Sequence, residues 1–177
     1  KNKFEKLSDD WKKYLQAKKE LPQNKFSEND MKKIKLLREQ FVDNLEKYGY
    51  KSVIDKKEIS ISEDNYLPVI EKFDMKFDSS ASDNIRGICA YTVALLQVSI
   101  SMKGNHPTVL IFDEPVQHSI VPNDMEKFLD SIVQLGKNCQ IIIGITVKDS
   151  DTQKIIDKID AKNCHLIKVK NKAFQKL

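Results

Sequence analysis

The sequence predicts an α/β fold whose C-terminal part is built on a parallel sheet. Three segments, Thr108 to Phe112, Gln140 to Thr146 and His165 to Val169, are short runs of apolar and β-branched residues of strand length. Stretches of helical length and period, about Asp124 to Leu135 and Asp151 to Ile159, separate them. Strands that lack in-out alternation and alternate with helices are the pattern of a parallel sheet covered on both faces.

The earlier elements follow in chain order. Phe4, Leu7, Trp11, Tyr14 and Leu21 recur with gaps of three and four, interrupted by Lys18, until the proline of "LPQNKFS" breaks the pattern near Leu21. Ser27 followed by Asp30 marks a second helix start. Met31, Ile34, Leu37 or Arg38, Phe41, Leu45 and Tyr48 then keep a heptad-like spacing as far as Gly49. Residues 1–49 are therefore two amphipathic helices, either a hairpin packed on the domain or the base of a coiled-coil arm. Residues 50–177 are the globular part. Within it, Glu58 to Ser62 and Tyr66 to Ile70 read as a β-hairpin turning at Glu63 to Asn65, with Pro68 making the second strand an edge or a bulged one. Ser80 or Ser82 is a candidate cap for a nearly all-apolar helix from Asp83 to Met102. Ile85, Ile88, Cys89, Thr92, Leu95, Leu96 and Met102 form its one broad face, and burial on most sides is expected.

Composition narrows the class. At 177 residues the chain can bury one sizeable core, so one main domain is expected. No segment approaches the roughly 18 to 20 apolar residues of a membrane span, and "KNKFEKLSDD" lacks a signal-peptide core, so a cytoplasmic protein is expected. Cys89, Cys139 and Cys164 are widely spaced, odd in number and set in apolar contexts, which favours buried free thiols over disulfides or zinc. The first residue is Lys rather than Met, so a piece of something longer is expected. Net charge is +4, and its distribution is uneven: Lys1 to Glu58 holds 16 basic against 11 acidic residues. Any attraction to nucleic acid would therefore reside in the N-terminal helices.

The chemistry concentrates in "HPTVLIFDEPVQ", His106 to Gln117. Ligands of open parallel sheets bind at the carboxyl ends of the strands, which is where Asp113 and Glu114 fall. One reading is an Asp that caps the next helix beside a Glu that points to solvent. The other is nucleotide hydrolysis, in which the first carboxylate holds magnesium through water and the second polarises the attacking water. Magnesium takes one or two carboxylates with phosphate and water oxygens, so a single Asp suffices as protein ligand.

"VLIFDEP" resembles the Walker B motif of ABC-type ATPases, in particular the heads of the structural-maintenance-of-chromosomes (SMC), RecN and RecF class. Upstream, "SSASDNIRGICAYTVALL" resembles their signature motif, in which L-S-G-G-Q/E opens a buried helix. Both motifs stand in the family's order over about Lys51 to Val169. The resemblance implies that Asp113 is the magnesium ligand and Glu114 the catalytic base. Ser80 matches the signature serine. Ala81 and Ser82 stand where two glycines are usual, and Asp83 stands for the Gln or Glu. "VQHSI", Val116 to Ile120, occupies the place of the D-loop, which makes Gln117 and His118 candidates for contact with nucleotide or the opposite subunit. Thr146 stands where the family often has a His that senses the γ-phosphate. Arg86, one turn into the signature helix, could reach a phosphate or the D-loop, or pair with an acid.

None of the five glycines satisfies GxxxxGK[ST], so the phosphate-cradling Walker A loop is missing from this chain. The resemblance implies a parallel-sheet, P-loop-type ATPase half, the C-terminal lobe of a head. It would bind ATP and Mg2+ together with an N-terminal Walker A lobe of the same or another chain, and would work as a homodimer of heads. Family members act on DNA, and Lys12, Lys13, Lys18, Lys19, Lys32, Lys33 and Lys35 could neutralise phosphates without reading sequence. The alternative is a non-catalytic, degenerate head that scaffolds a protein partner. A transporter subunit, which would bring a membrane partner, is disfavoured by the missing signature glycines and the coil-like approach.

Overall fold

A computed structural model describes residues 2–20, 26–53, 55–71, 73–75, 80–115, 121–160 and 164–169. The chain divides into two compact units, Lys1–Lys32 and Lys33–Leu177. In the first, helix α1 (Asn2–Glu20) carries the apolar seam of Phe4, Leu7, Trp11 and Tyr14, all exposed, with the Trp11 and Tyr14 rings stacked at 5.4 Å. Helix α2 (Glu28–Lys47) opens with the expected capping box. Ser27 Oγ accepts from the Asp30 amide at 3.2 Å, and the Asp30 carboxylate accepts from the Ser27 amide at 3.1 Å.

In the second unit, α2 supplies one wall of the core through Leu37, Phe41 and Leu45, followed by Tyr48. Gly49 ends the helix at φ +73°, with the Tyr50 amide donating to Leu45 O at 3.0 Å, a left-handed stop that only glycine adopts without cost. Arg38 holds a seam position yet points across, donating to the carbonyls of Ile59 at 2.6 Å and Lys57 at 3.0 Å. It thereby ties α2 to the hairpin of β1 (Ile59–Ile61) and β2 (Pro68–Ile70). A short β3 (Phe73–Asp74) extends this antiparallel sheet in the order β1-β2-β3, so β2 is central and pairs with β1 in regular register, neither the edge nor the bulged strand expected. Pro68 is tolerated because β3 pairs only with Val69 and Ile70 and stops short of it.

Helix α3 (Ala81–Ser101) runs through the core on a face that shares Cys89 and Leu96 with the expected one but is turned towards Ala90, Val93 and Ala94. Cys89, Ala90, Val93, Ala94 and Leu96 are buried, whereas Ile88 is 52% exposed. The small residues decide this. Without side-chain bulk at Ala90, α2 comes close enough for Asn44 Nδ2 to donate to Ala90 O at 3.0 Å and to Gln97 Oε1 at 2.9 Å.

The last layer is a β-α-β unit of β4 (Val109–Asp113), α4 (Pro122–Val133) and β5 (Gln140–Gly144), followed by α5 (Ser150–Asp160). β4 and β5 pair in parallel, with Asp113 opposite Gly144, and the fold is α/β. α4 begins two residues before the expected Asp124, because Pro122 suits a first turn whose N–H would be unpaired anyway. Phe112 meets Phe128 of α4 edge-on at 5.4 Å, and Phe128 meets Tyr48 the same way at 5.1 Å. The opposite face corrects the expectation of a sheet covered on both sides. Ile111 is 72% exposed and Ile142 48%, because the described residues cover only the face of Leu110 and Phe112. The expected third strand, His165 to Val169, is also absent. Residues 164–169 are strand-like in sequence but pair with neither β4 nor β5, and a strand needs a partner. No described helix is long and apolar enough to cross a membrane.

Candidate functional site

The carboxyl end of the parallel pair is built by the chain leaving β4. The Glu114 amide extends the ladder by donating to Gly144 O at 2.9 Å, and the backbone then turns through φ +49° at Glu114 into a buried Pro115. A non-glycine residue in that region is strained, which is common where a side chain must be aimed. The Glu114 side chain is aimed at the neighbouring strand's exit, where Thr146 Oγ1 donates to Glu114 Oε1. Asp113 lies over Gly144: a Cβ there would sit 3.3 Å from Asp113 Oδ1. Glycine at this position leaves room beside the carboxylate.

Asp113 is exposed and Glu114 half-buried, and among the described residues no Lys or Arg forms an ion pair with either. Two adjacent carboxylates without a cation are a site of concentrated negative charge. Among the described residues no three His, Cys, Asp or Glu side chains gather as a metal cage. That still fits magnesium, which uses one or two carboxylates and fills its remaining positions with water and phosphate oxygens.

The start of α3 forms a second cluster. Ser80 is its N-cap, accepting from the Asp83 amide at 3.2 Å, and its hydroxyl lies 3.2 Å from that of Ser82. Ser80 and Ala81 are exposed, so the positive end of a 21-residue helix opens to solvent. Asp83 faces the other way. It is 4% exposed, its Oδ2 accepts from the Ser52 amide at 2.9 Å and the Ser52 hydroxyl at 2.6 Å, and its Oδ1 accepts from Arg86 at 3.0 Å. Burial alone would raise the Asp83 carboxyl, but the bonds from Ser52, the Lys51 amide and Arg86 outweigh it and hold the group below its ordinary value.

Of the residues singled out from sequence, the structure joins Glu114 to Thr146 and sets Asp113 beside them. Ser80, Ser82 and Asp83 gather around the first turn of α3. Gln117 and His118 lie outside the described residues. Asp124 and Ser52, which complete the surroundings of Asp83 and Arg86, were not legible as site residues: an acid in a helix's first turn reads as a dipole partner. The one available signal was Arg86, a charge in an otherwise apolar helix, which demands a buried partner. Compared with known protein families, curated proteins and solved structures, the chain matches none.

Proposed function

We propose that this chain is the C-terminal lobe of an ABC-type ATPase head of the SMC, RecN and RecF class, hydrolysing ATP between two heads. The observation that carries the reading is the pair Asp113 and Glu114 at the carboxyl end of a parallel strand, with no cation paired to either among the described residues and with Glu114 bonded by Thr146 beyond the adjoining strand. In this reading Asp113 is the magnesium ligand. The ion, when bound, neutralises charge on the transferring phosphate. Glu114 accepts a proton from the attacking water, and the Thr146 hydroxyl holds its carboxylate in place.

The exposed start of α3 offers Ser80 and first-turn amides to a phosphate on the opposite head. The bare face of β4 and β5 is where a Walker A lobe would pack. Lysines of α1 and α2 would hold duplex DNA through its phosphates, with log affinity falling by about 0.9 per neutralised phosphate for each tenfold rise in salt.

The test is to supply a Walker A lobe and follow ATP-dependent dimerisation. Glu114→Gln should trap the closed dimer without turnover, and Ser80→Arg should abolish dimerisation while leaving nucleotide binding. Normal turnover in Glu114→Gln defeats the assignment of the base. Dimerisation that survives Ser80→Arg defeats the signature assignment.

A second reading, a non-catalytic head that scaffolds a protein, is favoured by one specific observation. The Asp83 carboxylate is spent on internal bonds where the family's Gln or Glu would serve the nucleotide. A complete protein that dimerises with ATP yet never hydrolyses it would select this reading.

A further inference from the structure

Arg86 is 7% exposed, and its two terminal nitrogens bind in different directions. One donates to Asp83 Oδ1 at 3.0 Å on its own helix, the other to Asp124 Oδ2 at 2.9 Å in the first turn of α4. The three side chains are 6%, 8% and 12% exposed, so two carboxylates share a single guanidinium inside the protein. The cluster reaches further through its acids. Asp83 also accepts from the Lys51 and Ser52 amides just beyond the end of α2. Gly49 sits against the Asp124 carboxylate so closely that a Cβ would lie 2.4 Å from Oδ2. Arg86 also lines a small cavity together with Pro115, the residue that follows Glu114.

A buried ion cluster is poor value as a source of stability, since well-packed apolar residues often do as well or better. What it does supply is geometry. Arg86 can satisfy both acids only when the first turns of α3 and α4 stand in one arrangement, and Asp83 ties the same cluster to the chain just beyond α2.

We propose that Arg86 is a positioning residue: held between Asp83 and Asp124, it locks the first turn of α3, with Ser80 and Ser82, against the start of α4 and the exit of β4 at Pro115. This role rests on the nucleotide reading of Asp113 and Glu114. It predicts that a weakened lock lowers turnover without altering how nucleotide is held.

Two variants separate this from simple folding damage. Arg86→Lys keeps the charge but can serve only one acid well, and Asp124→Asn leaves the Asp83 pair intact while loosening the tie to α4. Each is measured in the complete ATPase, the lobe joined to its Walker A partner, for melting temperature, KM and kcat for ATP, and amide hydrogen exchange. The expected result is a folded protein with KM within about twofold and kcat lowered at least tenfold. Exchange should rise together at residues 51–52, 81–84 and 123–125. Folded variants with wild-type kcat overturn the role, as does a rise in exchange confined to α3. Unfolding of both variants overturns it too, since the cluster would then serve stability alone. Wild-type protein without turnover refutes the nucleotide reading itself and this role with it.

Discussion

Gly49 and Gly136 form a natural controlled pair. Both lie in the left-handed region, at φ +73° and +67°, so replacing either by Ala imposes the same backbone strain. That strain is about 1–2 kcal/mol per L-residue. It is partly offset by the ~0.4–1 kcal/mol gained from a less flexible unfolded chain. Gly136→Ala should therefore cost about 1 kcal/mol, since a Cβ there meets nothing within 4 Å. At Gly49 the same Cβ would fall 2.4 to 2.6 Å from all three atoms of the Asp124 carboxyl group.

A side-chain end can usually move aside, but Asp124 is held by Arg86 at 2.9 Å. Displacing it forfeits a hydrogen bond to a charged group, about 1.5–3 kcal/mol. Gly49→Ala should therefore cost roughly 2.5–4 kcal/mol, at least about 1.5 more than Gly136→Ala. Urea titration followed by circular dichroism at constant m-value measures both. In an Asp124→Ala background the excess at Gly49 should vanish, because the obstructing group is gone. Equal costs at the two glycines, within about 0.5 kcal/mol, would refute the claim that Arg86 pins Asp124.

Three further outcomes are expected. The Asp83 carboxyl is held below its ordinary value, so its stabilisation is present above the unfolded value of about 3.9 and disappears as pH falls through the lower folded one; Asp83→Asn should flatten that acid limb in pH-dependent unfolding. Burial pushes the Cys89 thiol up to about 12, so its contribution is complete below the unfolded value of about 8.5 and is lost as pH rises towards 12. At pH 8 a thiol reagent should modify exposed Cys164 at once and Cys89 only as fast as the protein unfolds, and rapid labelling of Cys89 would contradict its burial. Ile111→Lys, on the bare face of β4, should change the stability of this chain by less than about 0.5 kcal/mol yet abolish its association with a Walker A lobe in a pull-down or light-scattering assay.

Local signals carried most of the readable fold. The Ser27 and Asp30 box, the left-handed stop at Gly49 and the Ser80 cap each depend on residues near in sequence, and the parallel pairing of β4 with β5 follows from two β-branched runs separated by one helix. What failed depended on partners. α3 is apolar nearly all round, so periodicity could not say that Ala90 and Ala94, rather than Ile88, are buried. The run from Val109 to Phe112 is apolar on both faces, which tells that each face suits an apolar environment but not whether one is at hand. His165 to Val169 has the composition of a strand and finds no pairing neighbour among the described residues. At the candidate site, Asp113, Glu114 and Thr146 could be grouped from sequence because adjoining parallel strands end together. The Asp83, Arg86 and Asp124 cluster could not, since Arg86 and Asp124 stand on different helices, 38 residues apart.

The two sets of carboxylates differ in what answers their charge. Asp83 and Asp124 are buried and answered by Arg86, whereas Asp113 and Glu114 stand at the sheet's carboxyl edge with no cation among the described residues. The open charge at β4 leaves Asp113 and Glu114 accessible to a ligand that supplies the cation, as the proposed ATPase function requires. The sheet makes the same demand in apolar terms. A parallel pair is rarely stable with one face in water, and here Val109, Ile111 and Ile142 lie on that face. A second copy of this chain and a separate Walker A lobe would each cover it. Only the lobe would also bring phosphate-binding groups to the edge where Asp113 and Glu114 stand. Sedimentation equilibrium therefore discriminates between them: self-association of this chain that Ile111→Lys abolishes would favour the second copy, and a monomer that pairs only with the lobe would favour the ATPase reading.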